Sequence, residues 1–242
     1  MNVNVQVGIL RSMILSVALG LLVASSTLQD PKLPDRRLAT VEGWSVYIDK
    51  RLDLPQHSAL GQQAVRLLTN QLINIQVALS SKMVDRLRKV EVFLDWQCGD
   101  MFSPAYHPSS VWLKNNGYST RLEQSVHIPK AEYFTSKGFQ TQQPWAVLHE
   151  FAHALHHQDL KFDNAEIVQL YEKFKGNSKY ETALHVDGNP RKHYGQTNVM
   201  EFFAEMSESY VGQNDFFPFN RGELRTSEPE IFSLMRRIWG TI

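Results

Sequence analysis

Trp145-Ala-Val-Leu-His149-Glu150-Phe-Ala-His153-Ala-Leu-His156-His157 is the stretch on which the reading of this chain turns. It has no internal Gly or Pro, and Pro144 just ahead of it is acceptable in the first turn of a helix. A helix brings residues four apart onto one side, so His149 and His153 can present their imidazoles to one metal ion. At about 100° per residue, Trp145, Leu148, Ala152 and Leu155 share one face. The two histidines lie about 40° apart beside that face, with Glu150 on their flank. The pattern offers two neutral nitrogen ligands and a carboxylate that need not bind metal and is free to polarise a zinc-bound water.

A catalytic zinc ordinarily takes a third protein ligand. Asp159 stands where one class of zinc peptidase finds it, but that class has a glycine three residues after the second histidine, where this chain has His156. Without the glycine the turn back to the metal is harder to make. His156 shares the face of His149 and His153, but a straight helix spreads the three over about 10 Å, too far for one small ion. The other source is Tyr194-Gly-Gln-Thr-Asn198-Val-Met-Glu201-Phe-Phe-Ala-Glu205-Met-Ser-Glu208. Glu201, Glu205 and Glu208 fall at i, i+4 and i+7 of one helix, with Phe202, Phe203, Met206 and Tyr210 forming its apolar side. One of these carboxylates can enter the metal site while another supports a ligand histidine from behind. Asn198-x-x-Glu201 is equally a capping-box spacing, in which Glu201 would only cap its helix.

These two strings, His149-Glu-Phe-Ala-His153 and Tyr194-Gly-Gln-Thr-Asn-Val-Met-Glu201-Phe-Phe-Ala-Glu205, closely resemble the catalytic domain of anthrax lethal factor and the related Pro-Pro endopeptidases, which are gluzincin-type zinc metallopeptidases. The resemblance covers roughly residues 145–210. It implies that His149, His153 and Glu201 hold one zinc ion, that Glu150 is the general base, that Tyr194 donates to the developing oxyanion, and that Glu205 supports the site from behind the ligands. It also implies an α+β, zincin-like single catalytic domain with a small mixed sheet, an active-site helix and a second helix carrying the glutamate ligand. The expected function is an exported zinc-dependent peptidase acting on peptide or protein substrates. The competing reading is a catalytically inactive zinc-containing module that binds a peptide or a surface.

Composition agrees with one globular domain. The chain has 242 residues, 43% hydrophobic, enough for one substantial core. Lys plus Arg and Asp plus Glu both number 25, and this balance argues against a nucleic-acid binder that relies on bulk positive charge. Cys98 is the single cysteine, so no internal disulfide can staple the fold, and it reads as a buried or incidental thiol. Near the N-terminus, Arg11 precedes an apolar run ending in small residues at Ser25-Ser26. This predicts a signal peptide over 1–26, export, and no stable membrane insertion after cleavage. Residues 27–40, with two prolines and no period, read as a linker into a domain over 41–242.

Along that domain, Trp44, Val46 and Ile48 alternate with polar neighbours, predicting a half-buried strand. Leu60 to Leu79 follows helical spacing, with Ser58 as N-cap. A short helix over Lys82–Arg88 and a strand over Val90–Asp95 follow. Residues 96–110 read as a loop, followed by a helical turn from Val111 to Lys114. Ser125–Ile128 reads as an edge strand ended by Pro129, placed to receive an extended peptide. Helices are expected over Asp163–Lys175, Thr197–Val211 and Pro229–Trp239, with a hairpin of Tyr180–Val186 and Pro190–Tyr194 around Asp187-Gly188. Tyr106-His107-Pro108 either lines a cleft or covers the core. His57, His127, His185 and His193 lack metal spacing and read as surface or structural residues, as does His157, a bystander beside the metal pair.

Overall fold

The alternation at Trp44, Val46 and Ile48 is realised in strand β2 (Trp44–Asp49), where all three side chains are buried. The computed structural model describes residues 33–240, so the expected signal peptide and residues 27–32 lie outside the described residues. The expected linker is corrected over its second half. Strand β1 (Arg36–Val41) runs antiparallel to β2, from Arg36 opposite Asp49 to Val41 opposite Trp44. Two charges in an apparently aperiodic stretch concealed it. Arg36 clamps both carboxylate oxygens of Asp95, and Arg37 pairs with Asp53. Glu42 and Gly43 close the hairpin at φ 51° and 90°, the left-handed pair that the tightest hairpin turn requires.

Helix α1 (Ser58–Ala78) buries Ala64, Leu68, Leu72 and Ile75 at the predicted helical spacing. Its cap position is His57, not Ser58; the Ser58 hydroxyl instead donates to Pro55 O. Helix α2 (Ser81–Leu87), capped by Ser80, leads to β3 (Val92–Leu94), which is buried throughout. The loop that follows contains β4 (Ala105–Tyr106), then α3 (Ser110–Asn115) and β5 (Val126–Ile128). These strands form a five-stranded mixed sheet in the order β1-β2-β3-β5-β4, with β2, β3 and β5 parallel and the outer two antiparallel to their neighbours. The expectation that Val126–Ile128 is an edge is therefore corrected. The two-residue β4 covers it and is itself the edge.

After α4 (Ala131–Phe134) and α5 (Lys137–Gln142) comes α6 (Ala146–Leu155), buried on nearly every side. Gln71 of α1 accepts from Val147 N at 3.0 Å, and Trp44 stacks on Phe151 at 5.8 Å, fixing α6 against α1 and the sheet. Helix α7 (Ala165–Lys175) is capped by Asn164. The hairpin is shorter than its pattern predicted, β6 (Ala183–Leu184) with β7 (Pro190–Arg191). Helix α8 (Val199–Val211) packs on α6, and α9 (Arg221–Ser227) and α10 (Pro229–Trp239) close over α8. Trp239 Nε1 reaches the Ser207 hydroxyl at 3.0 Å, and the Tyr210 hydroxyl donates to Gly240 O at 2.7 Å. The protein is thus α+β with a small mixed sheet. No described helix is long and apolar enough to cross a membrane.

Candidate metal centre

Helix α8 starts on Asn198, whose side-chain oxygen accepts from Met200 N and Glu201 N, both at 2.9 Å. That satisfies two of the free amides of the first turn and leaves the Glu201 carboxylate available. The carboxylate crosses to α6, where Glu201 Oε2 lies 3.1 Å from His149 Nε2 and 3.3 Å from His153 Nε2. All three ligand atoms fall within 4.8 Å of one another.

The donor set fits a tetrahedral zinc ion. With metal–ligand bonds of about 2.0–2.1 Å, neighbouring donors in such a site stand about 3.3 Å apart, close to the two separations measured from Glu201. His149 Nδ1 faces Glu208 Oε2 at 3.4 Å and Glu205 Oε1 at 3.8 Å. A carboxylate on that side favours a proton on Nδ1, which is the tautomer that would leave Nε2 to a metal ion. Burial lowers the His149 pKa, but the Glu208 and Glu201 carboxylates outweigh it and hold the ring well above its ordinary value. Burial pushes Glu201 up, and the two histidines more than reverse it, leaving this carboxyl well below the usual range.

Glu150 occupies the same face. It is buried, and its Oε2 accepts the Tyr106 backbone N–H at 2.6 Å. Burial raises its pKa, with the neighbouring His153 and His149 opposing, so the carboxyl is a better proton acceptor than an exposed glutamate. Tyr194 lies in the 3₁₀ turn Tyr194–Gln196 just before α8 and is 46% exposed. Burial, with a contribution from Glu201, raises its phenol to about 12. His149, Glu150, His153, Tyr194 and Glu201 line one cleft of about 610 Å³, whose other wall includes Tyr106 from β4 and His185 from the hairpin segment.

All six site residues expected from the sequence thus gather around the junction of α6 and α8. Five line the cleft, and Glu205 lies behind them, fully buried, 3.8 Å from both His149 Nδ1 and His193 Nδ1. The alternatives separate from the centre. Asp159 is engaged by Arg86 Nε at 2.6 Å. His156 is fully buried against Phe162 and Phe203. Three features escaped the sequence reading. Glu208 approaches His149 more closely than Glu205 does. Tyr106 contributes a backbone group, which side-chain patterns do not display. His185 and Asp215 tie the hairpin to the segment after α8, with Nε2 to Oδ2 at 3.6 Å and Gln143 Nε2 donating to the same Asp215 oxygen at 3.2 Å. The Glu208 spacing was visible as the i+7 position, but spacing alone did not rank it against Glu205.

The chain matches no protein-family model, no curated protein and no solved structure.

Proposed function

We propose that this protein is an exported zinc-dependent peptidase with a zincin-like fold. The observation that carries the reading is the convergence of His149, His153 and Glu201 in one cleft with Glu150 and Tyr194. A structural zinc needs ligands but has no use for an adjacent buried base or a phenol.

In this reading His149 Nε2, His153 Nε2 and a Glu201 carboxylate oxygen hold the ion. Zinc supplies a Lewis acid that lowers the pKa of water and polarises a carbonyl. Glu150, with Oε2 engaged by Tyr106 N–H, takes a proton from the attacking water at Oε1 and passes it to the departing amide nitrogen. Tyr194, its phenol pushed up to about 12 by burial, stays protonated at neutral pH as any tyrosine does, so its O–H is available to donate to charge that appears on the carbonyl oxygen only in the transition state. Glu150 itself is buried on α6 beneath β4, which strengthens its charge interactions. The apolar segment 12–26 supplies the export signal in the same proposal.

The test is metal content with peptide cleavage. Purified protein is expected to carry one zinc per chain and to cleave members of a diverse peptide library, with both lost in Glu201→Ala and zinc retained in Asp159→Ala. Stoichiometric zinc without cleavage of any peptide would leave a binding module, and metal loss in Asp159→Ala alone would overturn the ligand set.

Behind the ligands, Glu208 is the carboxylate we expect to orient His149. Competition with a chelator should show zinc affinity falling roughly tenfold to a hundredfold in Glu208→Ala, and less in Glu205→Ala. The reverse order would return this role to Glu205.

A further inference from the structure

Glu150 has three rotatable side-chain bonds, and one hydrogen bond orients its carboxylate only if the donor is itself fixed. That donor is the backbone N–H of Tyr106, at the end of a two-residue edge strand. The strand is short: β4 pairs with β5 at Ala105–His127 and Tyr106–Val126, and the ladder ends where His107 N donates to Ser125 O at 3.2 Å and Gln124 N to His107 O at 2.7 Å. The Tyr106 side chain supplies a second anchor. Its hydroxyl lies 2.9 Å from His157 Nδ1 and accepts from Gln158 Nε2 at 3.1 Å, so the group can donate to the ring while it accepts from the amide. His157 and Gln158 belong to a π-helical turn, His156–Leu160, that continues directly from α6. Glu150 and His157 are seven positions apart, on one face and about 10 Å along the axis. Tyr106, only 7% exposed, therefore lies along α6 and is held at both ends by the same helix that carries the base.

We infer that Tyr106 is a positioning residue for Glu150: its phenol, tied to His157 and Gln158, holds its backbone N–H against the Glu150 carboxylate. The inference rests on the reading of Glu150 as general base. It also gives His157 a task outside the metal pair. The ring receives the Tyr106 proton at Nδ1 and carries its own on Nε2. Burial, with the nearby Lys161, disfavours the charged ring that could not accept this bond.

Tyr106→Phe keeps the ring and the backbone donor and removes both anchoring bonds. The expected result is a kcat lower by roughly tenfold, with KM and zinc stoichiometry unchanged. In a Glu150→Gln background the same substitution should produce no further loss, because the residue acts through the base it positions. His157→Leu, which leaves β4 untouched, should reproduce the kcat loss, and His157→Gln, which restores an acceptor, should recover most of it. Unchanged kcat in Tyr106→Phe, or an equal fractional loss in the Glu150→Gln background, overturns positioning while the peptidase reading stands. If the wild type holds zinc and cleaves no peptide, the general-base reading falls and the positioning role falls with it.

Discussion

Glu150→Gln is expected to reduce peptide cleavage by roughly a thousandfold, within the 10²–10⁴ range of general acid–base contributions, while zinc content and stability stay close to wild type. The substitution is nearly isosteric, and the amide oxygen of Gln can still accept the Tyr106 N–H that now meets Glu150 Oε2 at 2.6 Å. What disappears is a basic oxygen beside the metal site. Glu201 cannot replace it, because its carboxylate already faces both His149 and His153 and is held well below the ordinary range. Glu205 and Glu208 lie on the Nδ1 side of His149, away from the ligand-binding edge of the ring, and Asp215, which also lines the cleft, is engaged by Gln143 and faces His185. Steady-state kinetics with metal analysis on the same samples makes the measurement. A variant that keeps wild-type turnover would remove Glu150 from the chemistry, and one that loses zinc would make it a ligand.

The largest stability effect should come from a second buried cluster, outside the candidate metal centre. Asp95 is fully buried beside Cys98, whose thiol is pushed up to about 11 by burial and the Asp95 charge. Arg36 donates to both Asp95 oxygens at 2.7 and 2.5 Å, His127 Nε2 lies 2.9 Å from Oδ2, and His127 Nδ1 meets His107 Nε2 at 3.2 Å. This chain of charges and rings runs from β1 through the residue after β3 and through β5 to the residue after β4. Burial raises the Asp95 carboxyl, but His127 and Arg36 more than reverse it, so its charged form is favoured. Asp95→Ala would leave the Arg36 guanidinium, 4% exposed, without its partner and would remove the acceptor of His127. Breaking one side of a buried pair costs about 3–5 kcal/mol, a large share of the stability of a domain this size. Urea unfolding should show that loss at an unchanged slope. A change below about 1 kcal/mol would mean that water replaces Asp95 around Arg36 and His127. Replacing both partners, Arg36→Met with Asp95→Leu, should cost less than Asp95→Ala, since no charge is then left unpaired.

Much of the site was legible because it depends on helix periodicity. The four-residue spacing of His149 and His153 directs both imidazoles to one side of α6, and the run of Glu201, Glu205 and Glu208 directs three carboxylates to one side of α8. Strand β2 and helix α1 followed from apolar repeats in the same way. β1 was concealed because its order comes from pairing with β2 and from Arg36 and Arg37 reaching carboxylates 59 and 16 residues away. β4 is two residues long, too short to show a period, and it displaced β5 from the sheet edge.

Residue spacing was enough to show that two imidazoles share a helix face with an acid beside them, and that a second helix presents a row of carboxylates. Those are properties of single elements, set by 3.6 residues per turn. The family resemblance pointed to Glu201 among these carboxylates, but the side of His149 that each one meets depends on how α6 and α8 pack. Glu201 meets both histidines at their Nε2 atoms, whereas Glu208, two turns further along α8, lies on the Nδ1 side of His149. Only the tertiary structure decided that the Glu150 carboxylate is held by the backbone of Tyr106, 44 residues earlier. Such partners are selected by the packing of α6 against α8 and β4, where distance in space is independent of distance along the chain.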